Sequence, residues 1–162
     1  MTKYSHLNTH LPYGSHQTDS DDMNSVAQII RSDFLTTGPA VANFEHALAE
    51  KTGASHVVAC SSGTAALHMA ALAIGLGEGD VAIVPSVTFL STASAVRMVG
   101  AEVEFCDVDP YSGLMRPEDL KEALSRVPSG KAKAVFPVHF AGQIPDMENI
   151  SAIARENGLH VV

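Results

Sequence analysis

The residues best suited to chemistry lie in the stretch 60–65, Cys-Ser-Ser-Gly-Thr-Ala, between an apolar run and a helical pattern. Ser62 is a residue type that caps helices, and Gly63 lets a ligand approach the backbone closely. The first N–H groups of a helix have no partner inside it and carry partial positive charge, so those of Gly63, Thr64 and Ala65 suit a phosphate. The hydroxyls of Ser62 and Thr64 add two donors. The sequence therefore predicts a phosphorylated cofactor at this corner.

A second candidate segment, 86–91, follows a predicted strand directly. Phe89 is flat and could stack on a cofactor ring, while Ser86, Thr88 and Ser91 supply hydroxyl groups. The structural alternative is that Phe89 packs beneath the following helix and that the hydroxyls cap the start of that helix. Taken alone, this segment favours the structural alternative.

His139, in the stretch 138–143, also follows a predicted strand. It could orient a substrate or a ring substituent, or it could be a hydrogen-bonded structural residue. Asp107 and Asp109 resemble a weak acidic site. They come just before Pro110, however, where turn-forming aspartates are expected.

Several other chemistries fit the sequence less well. A serine hydrolase would use Ser61 or Ser62, but neither serine has glycine on both sides. The glycines of segment 75–79 close a helix and precede a strand, which is the reverse of a dinucleotide-binding motif. No phosphate loop ending in Gly-Lys-Ser/Thr occurs. His6 and His10 have no helix to align them, so no metal site is predicted.

An alternation of strands and helices positions these segments. We predict strands at 57–59, 81–85, 103–108, 132–138 and 159–162, and helices at 19–34, 90–99, 117–126 and 146–157. One more helix is predicted after the break at 35–39, ending near Thr52, and another begins at Gly63. Such alternation indicates an α/β fold with a mainly parallel sheet and helices on both faces. Ligands of these sheets bind beyond the carboxyl ends of the strands, where the candidate segments fall. We expect 57–59 to be a buried parallel strand.

Two helical faces are predicted within the first third of the chain. On the helix 19–34, apolar side chains at helical spacing form one face, made by Val26, Ile29 and Ile30. On the helix that ends near Thr52, the inward-facing residues are predicted to be Phe44, Ala47 and Leu48. Residues 1–18 are polar and are predicted to be an extended arm that precedes a domain formed by 19–162.

The bulk composition restricts the class of protein. The chain has 162 residues, 46% of them hydrophobic, and a net charge of −8 without a basic stripe, so nucleic-acid binding has no electrostatic support. No apolar stretch is long enough to span a membrane, and the first twenty residues contain no hydrophobic signal core. Cys60 and Cys106 are isolated, and both are expected to be buried. We therefore expect a soluble, cytoplasmic protein.

The ordered set of motifs resembles the DegT/DnrJ/EryC1/StrS family of pyridoxal-phosphate-dependent nucleotide-sugar aminotransferases. The resemblance extends over nearly the whole chain from residue 12. The segments that carry it are 33–39 (DFLTTGP), 44–45 (FE), 62–68 (SGTAALH), 77–80 (GEGD), 84–89 (VPSVTF), 103–110 (VEFCDVDP) and 137–143 (PVHFAGQ).

The resemblance implies a three-layer fold-type-I aminotransferase large domain that is incomplete at its C-terminus, and a homodimer. It implies pyridoxal 5'-phosphate, with Gly63, Thr64 and Ala65 at the phosphate and Phe89 stacked on the ring. The loop of Thr36, Thr37 and Gly38 is expected near the sugar. An amino donor, typically glutamate, would convert the cofactor to its amine form, which then aminates a keto carbon of a nucleotide-linked sugar. The ending of the His139 loop leans slightly towards members that make bacterial surface sugars.

The resemblance also implies that two functional groups lie beyond Val162. These are the aspartate that pairs with the pyridine nitrogen and the lysine that forms the Schiff base. The lysines at 51, 121, 131 and 133 are predicted on helices or loops away from the strand ends, so none is expected to replace it. The isolated chain is therefore expected to be an inactive fragment of a longer aminotransferase. Two alternatives stay open: a non-catalytic module that binds phosphate ligands or dimerises, and a dehydratase branch in which histidine replaces the lysine.

Overall fold

The computed structural model describes residues 14–162, which form two compact units. One unit ends at Ala59 and the other spans Cys60–Val162. The predicted arm lies mostly outside the described residues. The helices are α1 (Ser20–Arg31), α2 (Pro39–Thr52), α3 (Gly63–Ala73), α4 (Leu90–Met98), α5 (Pro117–Arg126) and α6 (Met147–Glu156), and the strands are β1 (Val81–Pro85), β2 (Glu102–Cys106), β3 (Ala132–Val135) and β4 (His160–Val161).

The first unit contains two helices with strong local end signals. Asp19 and Asp22 form a capping box at the start of α1, in which each carboxylate accepts the backbone N–H of the other residue. Pro39 opens α2. The first N–H groups of a helix make no hydrogen bond within it, so proline, which lacks an N–H, fits this position. Gly53 ends α2 in the left-handed conformation, with φ of 73°.

The side chains of the apolar faces predicted on these two helices are not buried. Val26 and Ile30 are 60% and 65% exposed, and Phe44 is 58% exposed. Ala47 is also exposed, and Leu48 keeps more than a third of its surface exposed. The prediction that Phe44, Ala47 and Leu48 point into a core is therefore wrong for the described chain. Helical spacing identifies an apolar face, but burial also needs a packing partner.

The expected strand at 57–59 is not a strand. This segment pairs with no other strand among residues 14–162, and Val58 is 72% exposed. The N–H of Ala59 instead donates to Oε1 of Glu45 on α2, at 2.8 Å. A β-branched apolar run becomes a strand only where a neighbouring strand accepts its hydrogen bonds. Cys60, at the end of this run, is exposed and not buried as expected.

The second unit is built on a four-stranded parallel sheet in the order β2-β1-β3-β4. All four carboxyl ends therefore lie at one edge, which we call the carboxyl edge. The β1 side chains alternate between the two faces of the sheet. Ala82 and Val84 pack with residues of α3 and α4, and Ile83 packs with residues of α5 and α6. This confirms the predicted α/β architecture, with helices on both faces of a parallel sheet.

Three predicted strands are shorter in the structure than in the sequence pattern. The predicted 103–108, 132–138 and 159–162 become Glu102–Cys106, Ala132–Val135 and His160–Val161. Most of the extra residues follow the end of a strand at the carboxyl edge, whereas Leu159 precedes β4. Cys106 is fully buried at the end of β2, as expected. In the part of the chain that the structure describes, no helix has the length and apolarity needed to cross a bilayer.

Candidate functional site

The corner that precedes α3 has the predicted helix cap. Ser62 is extended, with φ of −166°, and its Oγ accepts the N–H of Ala65 at 3.2 Å. The prediction of three available amides is therefore wrong for Ala65, because the cap already uses that N–H. The N–H groups of Gly63 and Thr64 have no partner among the described residues. The corner thus offers two free amides at the positive end of an 11-residue helix.

The space in front of this corner is open. Ser62 and Gly63 are exposed, and Thr64 is half-buried. Apart from its two neighbours and the backbone of its own helix, a Cβ built on Gly63 would meet no heavy atom within 4 Å. Side-chain bonds of a helix tilt towards its N-terminus, so this empty volume lies on the side from which an anion would approach. The free amides, the hydroxyls of Ser62 and Thr64, and the open space fit a phosphate ester.

Helices α3 and α4 run side by side in the same direction. A Cβ on Gly77, just after α3, would lie 3.8 Å from the carbonyl oxygen of Val99, which ends α4. A Cβ on Gly100 would lie 3.7 Å from the backbone nitrogen of Glu78. The two C-terminal ends are therefore adjacent, and the helices share one apolar cluster along their length. Because α4 starts just after the carboxyl end of β1, both N-termini lie towards the carboxyl edge.

Phe89 is the N-cap residue of α4, and its ring is 77% exposed. The alternative in which Phe89 packs beneath the helix is therefore wrong. The nearby hydroxyls are partly engaged: Thr88 Oγ1 lies 2.8 Å from Thr92 Oγ1, and Ser91 is only 8% exposed on the first turn of α4. The backbone N–H of Ser86 donates to the carbonyl of Cys106 at 2.8 Å and fixes the start of this loop.

The segment of His139 forms a tight turn beyond β3. The N–H of Gln143 donates to the carbonyl of Phe140 at 2.9 Å. Ala141 and Gly142 both have positive φ, of 51° and 80°. His139 comes directly before this turn and is exposed. Left-handed backbone is unfavourable for alanine, so the turn holds a strained conformation at Ala141.

The loop after β2 confirms the turn-forming role of its aspartates. Asp107 accepts the N–H of Val108 at 2.8 Å. Asp109 Oδ1 accepts the N–H groups of Tyr111 and Ser112 at 3.0 and 2.8 Å. The hydrogen bonds from Ser112, first among several causes, hold the pKa of Asp109 below its usual range.

One ion pair in this region was not predicted from the sequence. Arg116 donates from Nε and Nη2 to the two oxygens of Asp119, both at 2.7 Å, and Asp119 is only 6% exposed. These hydrogen bonds lower the pKa of Asp119 and raise that of Arg116. The available signal was an acidic residue in the first turn of a helix that Pro117 opens, directly after an arginine.

The loop of Thr36, Thr37 and Gly38 belongs to the first unit. Thr37 has a positive φ of 54°, and with Ala141 it is one of two non-glycine residues in that conformation among residues 14–162. Gly38 leaves no room for a side chain, because a Cβ would lie 2.5 Å from Cβ of Phe34. The expected role of this loop near a sugar stays a prediction.

The lysines described in the second unit do not lie at the carboxyl edge of its sheet. Lys133 lies on β3, within the predicted strand 132–138 and not on a helix or loop. Its Nζ donates to Oδ2 of Asp80 at 3.1 Å, just before the start of β1. Lys51 and Lys121 lie on helices, and Lys131 lies in a turn. Among residues 14–162, no group of three or more His, Cys, Asp and Glu side chains could hold a metal ion. His6 and His10 lie outside the described residues.

The family model and the solved structures similar to this chain belong to aminotransferases. A family model described as the DegT/DnrJ/EryC1/StrS aminotransferase family matches residues 16–162. A DegT/DnrJ/EryC1/StrS aminotransferase from Brucella abortus is similar at 39% identity and a TM-score of 0.80, over 86% of this chain and 38% of that one. The DesV protein of S. venezuelae, solved with a ketimine intermediate, is similar at 29% identity and 0.79, over 86% and 36%.

A further similar structure is the NtdA protein of Bacillus subtilis, solved with bound cofactor PMP. It has 32% identity and a TM-score of 0.79, over 86% of this chain and 31% of that one. The chain thus spans about a third of the length of these similar proteins. The structure is an incomplete fold-type-I aminotransferase domain.

Proposed function

We propose a function from one premise: the chain belongs to the DegT/DnrJ/EryC1/StrS aminotransferase family, whose model matches residues 16–162. The protein that contains the chain transfers an amino group from an amino acid, with glutamate as the donor, to a keto carbon of a nucleotide-linked sugar. Its cofactor is pyridoxal 5'-phosphate. It acts as a cytoplasmic homodimer.

The open corner before α3 is the observation that carries this proposal. The free amides of Gly63 and Thr64 and the hydroxyls of Ser62 and Thr64 would hold the phosphate of the cofactor. The NtdA structure, which contains PMP, supports a cofactor of this class. When bound, pyridoxal phosphate supplies an electron sink that the twenty side chains lack. The chain's part is to bind that group and orient it.

Phe89 and Ser91 complete the proposed cofactor site. Phe89 covers one face of the ring, since its exposed side chain leaves the start of α4 at the same edge as the phosphate corner. Ser91, on the first turn of α4, contributes a mostly covered hydroxyl near the ring. An aromatic face next to a planar ring both orients that ring and excludes water from it.

The remaining proposed roles concern the substrates. His139 orients the substrate or a ring substituent from the loop beyond β3. Thr36, Thr37 and Gly38 contact the sugar, and the positive φ of Thr37 is support for a specialised loop. The lysine and aspartate that act on the cofactor are expected in the part of the relatives that this chain does not span.

The test uses the full-length protein with pyridoxal phosphate, glutamate and a nucleotide-linked keto sugar. The expected products are 2-oxoglutarate and the amino sugar, in equal amounts. Cofactor binding without amino transfer would support the non-catalytic module instead. Loss of water from the sugar would support the dehydratase branch.

A matched pair of variants tests the aromatic contact. Phe89→Ala is expected to weaken pyridoxal phosphate binding about tenfold, because the stacking face is removed. Leu90→Ala removes a neighbouring apolar side chain that is 75% exposed, and it should leave cofactor affinity unchanged. Equal effects of the two variants on the dissociation constant would contradict the stacking role.

A further inference from the structure

The turn after β2 is a rigid element. Within it the N–H of Gly113 donates to the carbonyl of Asp109 at 2.8 Å, and the N–H of Asp109 donates to the carbonyl of Leu114 at 2.9 Å. The Asp109 carboxylate also accepts the hydroxyl of Ser112 at 3.0 Å, in addition to the two backbone N–H groups described above. The turn is therefore crossed by several hydrogen bonds in both directions.

The base of this turn is fixed in the protein core. Met115 is 2% exposed and packs with Cys106 and Leu120. The next residue, Arg116, makes the two-pronged ion pair with buried Asp119 on α5. Bidentate pairs of this kind fix orientation as well as distance. The turn consequently cannot shift without disturbing the core or the ion pair.

The tip of the turn touches the segment of His139. A Cβ on Gly113 would lie 3.0 Å from Cδ1 and 3.1 Å from Cε1 of Phe140, so the ring lies directly against the glycine backbone. Gly113 also has a positive φ of 72°. Phe140 is the first residue of the strained turn through Ala141 and directly follows His139. The glycine thus provides both the backbone conformation and the space that the ring occupies.

We propose that the turn 109–116 positions the His139 loop for its substrate, through the contact of the Phe140 ring with Gly113. Phe140 and Gly113 are positioning residues, since they act through the backbone of His139 and the 140–143 turn. The functional part of this inference rests on the proposed aminotransferase activity. The mechanical part, that the ring contact restrains the loop, stands on the geometry alone.

The ring is the group to change, because any substitution of Gly113 would be strained by its φ value alone. Phe140→Ala removes the contact, and Phe140→Tyr keeps the ring against the glycine. Tyr111→Ala is the matched control. It removes an aromatic side chain from the same turn, but that side chain is 98% exposed.

Hydrogen exchange of the full-length protein, followed by mass spectrometry, tests the mechanical part. Phe140→Ala should speed exchange in the peptide 137–146 at least tenfold, while Phe140→Tyr and Tyr111→Ala keep the rate of the unmodified protein. Unchanged exchange across β1 is the check that each variant is folded. If Phe140→Ala leaves the exchange of 137–146 unchanged, or if Phe140→Tyr behaves like Phe140→Ala, the restraint is wrong.

Steady-state kinetics of the same variants tests the functional part. A displaced loop should lower kcat/KM for the keto sugar by about 10- to 100-fold, because small misplacements of positioning groups have effects of that size. The dissociation constant of pyridoxal phosphate should change less than twofold. Equal losses in sugar kinetics and cofactor binding would overturn the positioning role. Absence of amino transfer in the unmodified protein would instead overturn the proposed function, and hydrogen exchange would still decide the restraint.

Discussion

Replacing Gly63 with alanine should stabilise the folded protein but weaken the binding of pyridoxal phosphate. Gly63 is the first residue of α3 and does not have a positive φ, so alanine is compatible with its backbone. Outside its two neighbours and the backbone of α3, the new Cβ meets no heavy atom within 4 Å. The main effect on folding is then the reduced entropy of the unfolded chain. We expect Gly63→Ala to raise the free energy of unfolding by about 0.4–1 kcal/mol.

The same methyl group should interfere with an anion at the corner. It would point towards the N-terminal side of α3, into the open space beside the free N–H groups of Gly63 and Thr64. A phosphate held by those amides has to occupy that space. We expect the dissociation constant of pyridoxal phosphate to rise at least tenfold, which corresponds to about 1.4 kcal/mol.

Urea unfolding of the full-length protein without cofactor measures the first effect, and titration with pyridoxal phosphate measures the second. Gly77→Ala is a suitable control, because this glycine follows the other end of α3 and also lacks a positive φ. It should leave cofactor affinity unchanged. A Gly63→Ala protein that binds pyridoxal phosphate as tightly as the unmodified protein would refute the reasoning.

Two further predictions concern the second unit. Asp119→Asn should lower the free energy of unfolding at pH 7 by about 1–3 kcal/mol, because a buried charged hydrogen bond to Arg116 is lost. The guanidinium of Arg116 lowers the pKa of Asp119, so this stabilisation is present at neutral pH and is lost as the pH falls through the lowered value. Urea unfolding at pH 7 and pH 3 should show a smaller difference in unfolding free energy between the variant and the unmodified protein at pH 3. Glu118→Gln, at an exposed carboxylate, is the control. Burial raises the pKa of the Cys106 thiol to about 12. Iodoacetamide should therefore modify exposed Cys60 in the native protein, and Cys106 only after unfolding. Mass spectrometry of the labelled protein measures both. Rapid native labelling of Cys106 would contradict its burial.

The local ends of the helices were predictable because their signals lie within a few residues. The cap at Ser62 needs only the hydroxyl and the N–H three residues later. The stop of α2 at Gly53 needs only a residue that tolerates a positive φ. The α/β architecture followed from the alternation of apolar strands with helical patterns, which constrains the connections strongly.

Features that depend on a distant partner were not predictable. The run 57–59 has strand-forming residues, but no strand pairs with it among residues 14–162. Phe44 has helical spacing on an apolar face, yet it is 58% exposed. Both errors arise because periodicity reports the character of a face and not what covers it.

At the candidate site, the type of group that each residue offers was easier to predict than whether that group already has a hydrogen-bond partner. The sequence indicated free amides at 63–65, and the structure assigns that of Ala65 to the cap. The contact between Gly113 and Phe140 joins two segments with no sequence pattern in common, so only the fold reveals it.

NMR chemical shifts of the backbone amides test most directly whether the N–H groups of Gly63 and Thr64 bind the cofactor phosphate. In the 15N-labelled full-length protein, titration with pyridoxal phosphate should shift the Gly63 and Thr64 amide resonances early and strongly. Pyridoxal without the phosphate should shift them far less, because the free amides are proposed to bind the phosphate oxygens. If both amides keep their positions while the cofactor binds, the phosphate lies elsewhere and the account is wrong.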